Sequence, residues 1–86
     1  MVTVKRYTAT WCGPCKQLAP VFEELKNEIT EVTFETIDVD QNKEYAINQG
    51  IVSVPTVILE KDGQQVYYFS GVLPKSVIAG IIKKYL

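Results

Sequence analysis

The chain has no histidine, only two cysteines, one methionine and one tryptophan in 86 residues. The missing histidines exclude the most. A structural zinc site wants four Cys or His ligands, and two cysteines fall short of that set. Haem attachment through a Cys-x-x-Cys pair needs a histidine directly after the second cysteine; Lys16 stands there. An excess of charge is missing too, since nine basic and ten acidic residues leave a formal net charge of -1. No basic stripe breaks that balance, which argues against nucleic acid and against a broad electrostatic partner.

Long apolar runs are also absent. The longest uncharged stretch, Tyr45 to Leu59, is interrupted by Asn48, Gln49, Gly50, Ser53 and Pro55. No segment reads as a bilayer span, so no membrane partner is expected. The opening "MVTVKRYTAT" has no apolar run behind its basic residues and does not read as a signal peptide. The expected location is cytoplasmic, where thiols stay reduced and a structural disulfide is out of place.

What is present fits one small domain over residues 1–86, with 47% apolar and 22% charged residues and no linker, repeat or low-complexity tract. The β-branched "VTVKRY" (Val2 to Tyr7) reads as a strand. A helix is expected from about Gly13 to Ile29, with Leu18, Phe22, Leu25 and Ile29 forming one apolar stripe. Pro20 inside it predicts a kink, because its ring clashes with the Lys16 carbonyl. "VTFETIDV" (Val32 to Val39) is a second strand. A short helix should begin at Gln41 or Asn42 and close at Gly50. "PTVILE" and "QVYYFS" form a hairpin around Asp62-Gly63. A last helix opens near Pro74, with Val77, Ile78, Ile81, Ile82 and Tyr85 as its buried stripe. A βαβ unit followed by a ββα unit makes an α/β fold, a small mixed sheet with helices packed on it.

The two cysteines lie three residues apart in "WCGPCK". A bridge that short constrains little of the unfolded chain, so it is a poor staple. As two merely buried thiols they also fit badly, because Cys12 follows an aromatic at a strand-to-helix corner. A reactive pair fits better. Extending the helix stripe backwards from Leu18 reaches Cys15 and puts it on the buried face. Cys12 begins the helix, where unpaired N–H groups and the positive dipole end favour a thiolate, the nucleophilic form. Gly13 permits a tight turn, and Pro14 is tolerated where the first turn has no hydrogen bond to lose. Cys12 is expected as the exposed attacker and Cys15 as the shielded resolver, in a thiol–disulfide exchange that needs no metal or organic cofactor.

With "WCGPCK" at Trp11 to Lys16 come "AP" at Ala19-Pro20, "DVDQN" at Asp38 to Asn42, "GIVSVPT" at Gly50 to Thr56, "KDG" at Lys61 to Gly63 and "FSG" at Phe69 to Gly71. In order and spacing these motifs resemble the thioredoxin family over nearly the whole chain. The resemblance implies a thioredoxin fold in its minimal βαβ-(α)-ββα form. That form is a four-stranded mixed sheet of order 2-1-3-4 with strand 3 antiparallel, with helices on both faces and without the family's additional N-terminal strand and helix. Such a chain resembles the short, glutaredoxin-sized thioredoxins. The resemblance also implies a redox-active disulfide between Cys12 and Cys15, a cis bond before Pro55, and a shallow substrate groove of Trp11, Gly13, Pro14, Val54, Pro55 and Gly71. Without it, Pro55 reads as a strand-start proline and Gly71 as a loop glycine.

Three positions depart from the family pattern behind the cysteines. The family usually has a buried Asp six residues before the first Cys, and a Lys partner for it; here those positions are Arg6 and Thr36. A guanidinium cannot serve as a base. Pointed at the cysteines it would stabilise a thiolate, making Arg6 a candidate pKa modulator; laid along the sheet it would carry its head into solvent. The aromatic that often precedes the first Cys by four residues is Thr8.

The expected activity is a monomeric protein-disulfide reductase, with protein disulfides as substrates and thioredoxin reductase as electron donor. Gly13-Pro14 lacks the His that oxidases and isomerases of this fold often place between the cysteines. The alternatives are a glutathione-dependent, glutaredoxin-like reductase and a binding module without redox turnover. Against the first, the Gly-Gly and acidic residues that grip glutathione are missing near the last helix, where Gly71 precedes Val72-Leu73.

Overall fold

The computed structural model describes residues 1–86. Strand β1 covers Val2–Thr8, helix α1 Gly13–Glu28, strand β2 Thr33–Asp38, helix α2 Lys43–Asn48, strand β3 Thr56–Lys61, strand β4 Gln64–Ser70 and helix α3 Lys75–Lys83. The four strands form one sheet in the order β2-β1-β3-β4. β1 and β2 run parallel, while β3 is antiparallel to both β1 and β4. This is the expected order, with β3 the single reversed strand.

Alternation along the strands divides the domain into two layers of side chains. Val4, Val57 and Leu59 face α1 and α3, packing with Leu18, Phe22 and Leu25 of α1 and with Ile78 and Ile82 of α3 in the main core. Tyr7 and Ile58 point the other way and meet Ala46 of α2 in a smaller cluster. Helices therefore cover both faces. Lys75 of α3 pairs with Glu24 and Glu28 of α1, tying the two helices of the larger layer together.

The punctuation residues behave as their chemistry requires. Asp62 (φ 54°) and Gly63 (φ 83°) both take positive φ, the conformation that a two-residue hairpin turn with right-handed strand twist demands. α1 continues through Pro20 as one helix, although the proline has no N–H for the Lys16 carbonyl. The stripe on α3 is narrower than its sequence suggested. Ile78 and Ile82 are fully buried, but Val77 is 45% exposed. Val77 lies about 100° around the helix from Ile78, far enough to turn it off the sheet.

Candidate active site

The cysteines sit where β1 hands over to α1. β1 ends at Thr8, Ala9 follows, and the Cys12 N–H donates to the Ala9 carbonyl at 3.2 Å. Cys12 is the N-cap of α1 in an extended conformation, and its Sγ accepts the Cys15 N–H at 3.2 Å. The sulfur thus takes the role an oxygen fills at most helix starts, and satisfies a donor the helix would otherwise leave free. Cys12 and Cys15 are joined as a disulfide with their Cα atoms 5.3 Å apart.

The expected contrast in exposure is not there. Cys12 is 4% and Cys15 2% exposed. Both pack with Ala9, and Val39 and Val54 close against them. The corner between strand and helix is a core position after all, because the loop before β3 folds over it. Cys12 differs from Cys15 in its place at the head of the helix, not in the surface it shows.

That covering loop ends in a cis Val54–Pro55 peptide, as the resemblance implied. Pro55 is buried; its carbonyl accepts the Gly71 N–H at 2.9 Å. Thr56 fastens the same corner, donating through Oγ1 to the Ser53 carbonyl at 2.8 Å and lying 3.0 Å from the Ser70 hydroxyl. Gly71 has φ 87°, a left-handed conformation suited to glycine. Pro55 and Gly71 are thereby brought to one place from distant parts of the sequence.

Beside the disulfide lies an apolar groove of about 290 Å³, lined by Trp11 and Val54 together with Val39, Ala46, Ile47, Ile51 and Val52. Trp11 is 68% exposed, and its indole N–H donates to Asp40 at 2.7 Å, which fixes the ring at the rim. Gly13 and Pro14 are exposed at the head of α1. They, Pro55 and Gly71 do not line this groove. The α2 side of it was not visible in the sequence. Ala46 and Ile47 look like ordinary helix positions, and only the chain path over the sheet edge brings them opposite Trp11.

Arg6 lies on the α1 side of β1, in register with Thr36 of β2. It is 7% exposed, so its head is not in solvent. The guanidinium carbon is 5.5 Å from the centroid of the Phe22 ring, and one terminal nitrogen donates to Thr36 Oγ1 at 3.2 Å. Its Nε is buried without a hydrogen-bond partner. Burial lowers its pKa, with the Glu23 carboxylate opposing, yet a guanidinium stays charged in proteins. Arg6 and Cys15 line one cleft of about 400 Å³ with Thr8, Thr10, Lys16 and Asp38. No group of three or more cysteine and carboxylate side chains is placed to hold a metal ion.

A buried, helix-capping cysteine pair beside an apolar groove and a cis-proline can exchange as a disulfide with a thiol, and as a dithiol with a disulfide, laid in that groove. Comparison with known proteins agrees with this chemistry. The sequence model of the family described as Thioredoxin matches residues 1–84. A thioredoxin of Bacillus subtilis (strain 168) is 41% identical over 86 residues, covering 99% of this chain and 83% of its own length. A thioredoxin of Mycobacterium tuberculosis (strain ATCC 25618 / H37Rv) is 49% identical over 73 residues, 84% of this chain and 63% of its own. Among solved structures, a mutant thioredoxin from Halobacterium salinarum NRC-1 superposes with a TM-score of 0.93 at 36% identity, covering 98% of this chain and 74% of that one.

Proposed function

Since the chain belongs to the thioredoxin family, and is a thiol–disulfide oxidoreductase of that family, we propose that Cys12 attacks the substrate disulfide and Cys15 resolves the intermediate. The observation that carries this assignment is the N–H of Cys15 donating to Cys12 Sγ at the head of α1. In the reduced protein that donor and the helix dipole favour negative charge on Cys12. Cys12 thiolate attacks one sulfur of the substrate disulfide, a mixed disulfide forms, and the other substrate sulfur leaves as a thiolate. Cys15 thiolate then attacks Cys12 Sγ. The Cys12–Cys15 bond forms, the bond to substrate breaks, and the second substrate sulfur departs with the electron pair. The substrate disulfide is reduced and the cysteine pair oxidised, with no change in electron count.

Trp11 and Val54 flank the disulfide and would hold an extended, apolar segment of the substrate protein, with Gly13, Pro14, Pro55 and Gly71 shaping the approach. A reductase must restore the dithiol after each turn. We assign that role to thioredoxin reductase, and the chain to a cytoplasmic, monomeric existence, because a reducing carrier works where thiols are kept reduced. The relatives are thioredoxins, which disfavours the glutathione-coupled alternative.

The test is capture of the intermediate. Cys15→Ser should accumulate a mixed disulfide with insulin on Cys12, visible as a discrete mass adduct, whereas Cys12→Ser should accumulate none. Equal trapping by both variants would reverse or erase the assignment. Insulin reduction should be sustained by NADPH with thioredoxin reductase and not by glutathione with glutathione reductase; the opposite result removes the donor assignment.

A further inference from the structure

Arg6 carries a full positive charge in a nine-tenths buried position with no carboxylate paired to it. Its contacts are one hydroxyl and an aromatic face, and its Nε has no hydrogen-bond partner. An unpaired buried charge is costly, and proteins normally supply a counter-ion. The cleft that Arg6 lines contains one group able to become that counter-ion during the reaction, the sulfur of Cys15. We propose that Arg6 is a positioning residue for the resolving step, holding Cys15 as a thiolate in the reduced protein and releasing that partner when the disulfide forms. The proposal rests on the assignment of Cys15 as resolver.

The charged groups around the sulfur support it. Lys16 on α1 adds a second positive charge at the mouth of the cleft. Asp38 at the end of β2 is the one carboxylate lining it, and its Oδ1 already accepts the N–H of Asp40 at 2.8 Å and of Gln41 at 3.2 Å. Glu23 on α1 acts on Arg6 from the other end. No base is required in this arrangement. Cys15 loses its proton to water through the open cleft, and the thiolate is then held by charge. It attacks Cys12 Sγ of the mixed disulfide, the Cys12–Cys15 bond forms, and the substrate sulfur leaves with its electron pair to take a proton from water. The guanidinium, which has no directly paired carboxylate in the oxidised form and feels only the charge of Glu23, gains a further anion each time the pair is reduced, so the charge favours the dithiol state.

Thiolate absorbance near the ultraviolet edge decides the matter. In Cys12→Ser, Cys15 is the sole thiol and its ionisation is read directly against pH. The midpoint is expected well below the ordinary thiol value of about 8.5. Arg6→Met added to that background should raise it by about one pH unit, the lower end of the effect of an opposite charge, because the guanidinium's direct contacts are Phe22 and Thr36 rather than the sulfur. That is about tenfold less thiolate at neutral pH. Arg6→Lys should recover most of the difference, and Asp38→Asn should move the midpoint down by less than Arg6→Met moves it up. A Cys12→Ser midpoint at or above about 8.5 overturns the proposal without recourse to any Arg6 variant, as does an Arg6→Met curve that overlays its parent. Trapping by Cys15→Ser reads the attacker assignment separately, so failure of one idea is distinguishable from failure of the other.

Discussion

Lys5 and Arg6 are neighbours on β1 and point to opposite faces of the sheet, and they are treated in opposite ways. Lys5 faces α2. Its ammonium pairs with Glu60 at 2.9 Å, donates to the Tyr45 hydroxyl at 2.7 Å and lies 5.4 Å from the centroid of the Tyr45 ring. Burial works to lower its pKa, but the bonds to Tyr45 and Glu60 and the charge of Glu60 outweigh burial and hold it above the ordinary lysine value. Arg6 faces α1 with a hydroxyl, a ring and an unpartnered Nε. A part-buried charge with its partners in place belongs to the architecture. A buried one without a paired carboxylate, lining the same cleft as a sulfur that becomes charged in the reaction, belongs to the chemistry.

The comparison breaks most visibly if Lys5 proves dispensable. Lys5→Met leaves Glu60 half-covered and unpaired. Removing one partner of a fully buried pair costs about 3–5 kcal/mol, while exposed pairs are worth about 0–1 kcal/mol. The Lys5 and Glu60 side chains are 13% and 18% exposed, so a loss of about 2 kcal/mol in urea denaturation is expected, between those limits. The Cys15 titration should stay where it was, since Lys5 lies across the sheet. Unchanged stability would remove the architectural half of the contrast.

Arg6→Met should cost the oxidised protein less. The substitution gives up a hydrogen bond from a charged donor worth about 1.5–3 kcal/mol and a desolvated cation–π contact worth about 2 kcal/mol, but it also removes a buried charge with no paired carboxylate, whose desolvation costs several kcal/mol. The balance is expected within about 1 kcal/mol of zero. At pH 8 the reduced protein should lose more than the oxidised one, because only there does Arg6 face a thiolate. Equal losses in both redox forms would make Arg6 a structural residue like Lys5.

The sequence showed some of this and hid the rest for physical reasons. The α1 stripe was legible because helical period is local, and Cys15 fell on it with Leu18 and Phe22. The CGPC chemistry was legible from residue types and spacing. The burial of Cys12 was not, because it is produced by Val39 and Val54 arriving from other parts of the chain. The groove was half legible. Trp11 and Val54 carry the family pattern, while Ile47, Ile51 and Val52 of its far wall have no local signal. For Arg6, strand alternation gives the face shared with Val4, but only Phe22 and Thr36 fix where the long stem ends.

The smallest effect probes a second orphan, on the Lys5 side. The Tyr7 hydroxyl is buried and makes no hydrogen bond of good geometry; the Tyr45 phenol acts on it, and the two rings stack at 6.4 Å. Tyr7→Phe keeps the ring and removes the unsatisfied group, so stability at neutral pH should rise by about 0.5 kcal/mol, at the low end of the cost of an unmade buried bond. The sign reverses the usual outcome of trimming a core residue. Alkali gives the sharper reading. Burial pushes the Tyr7 phenol up, and Lys5 is raised as well. Both groups therefore keep their protons in the folded chain at a pH where the unfolded chain gives them up. Their contribution is complete below about pH 10 and declines above it. Tyr7→Phe should flatten that decline and Lys5→Met should flatten it further, while Arg6→Met should leave it intact. An alkaline profile that responds to Arg6 and ignores Tyr7 would show the two faces of the sheet to be coupled, and the division between a paired and an unpaired charge would no longer hold.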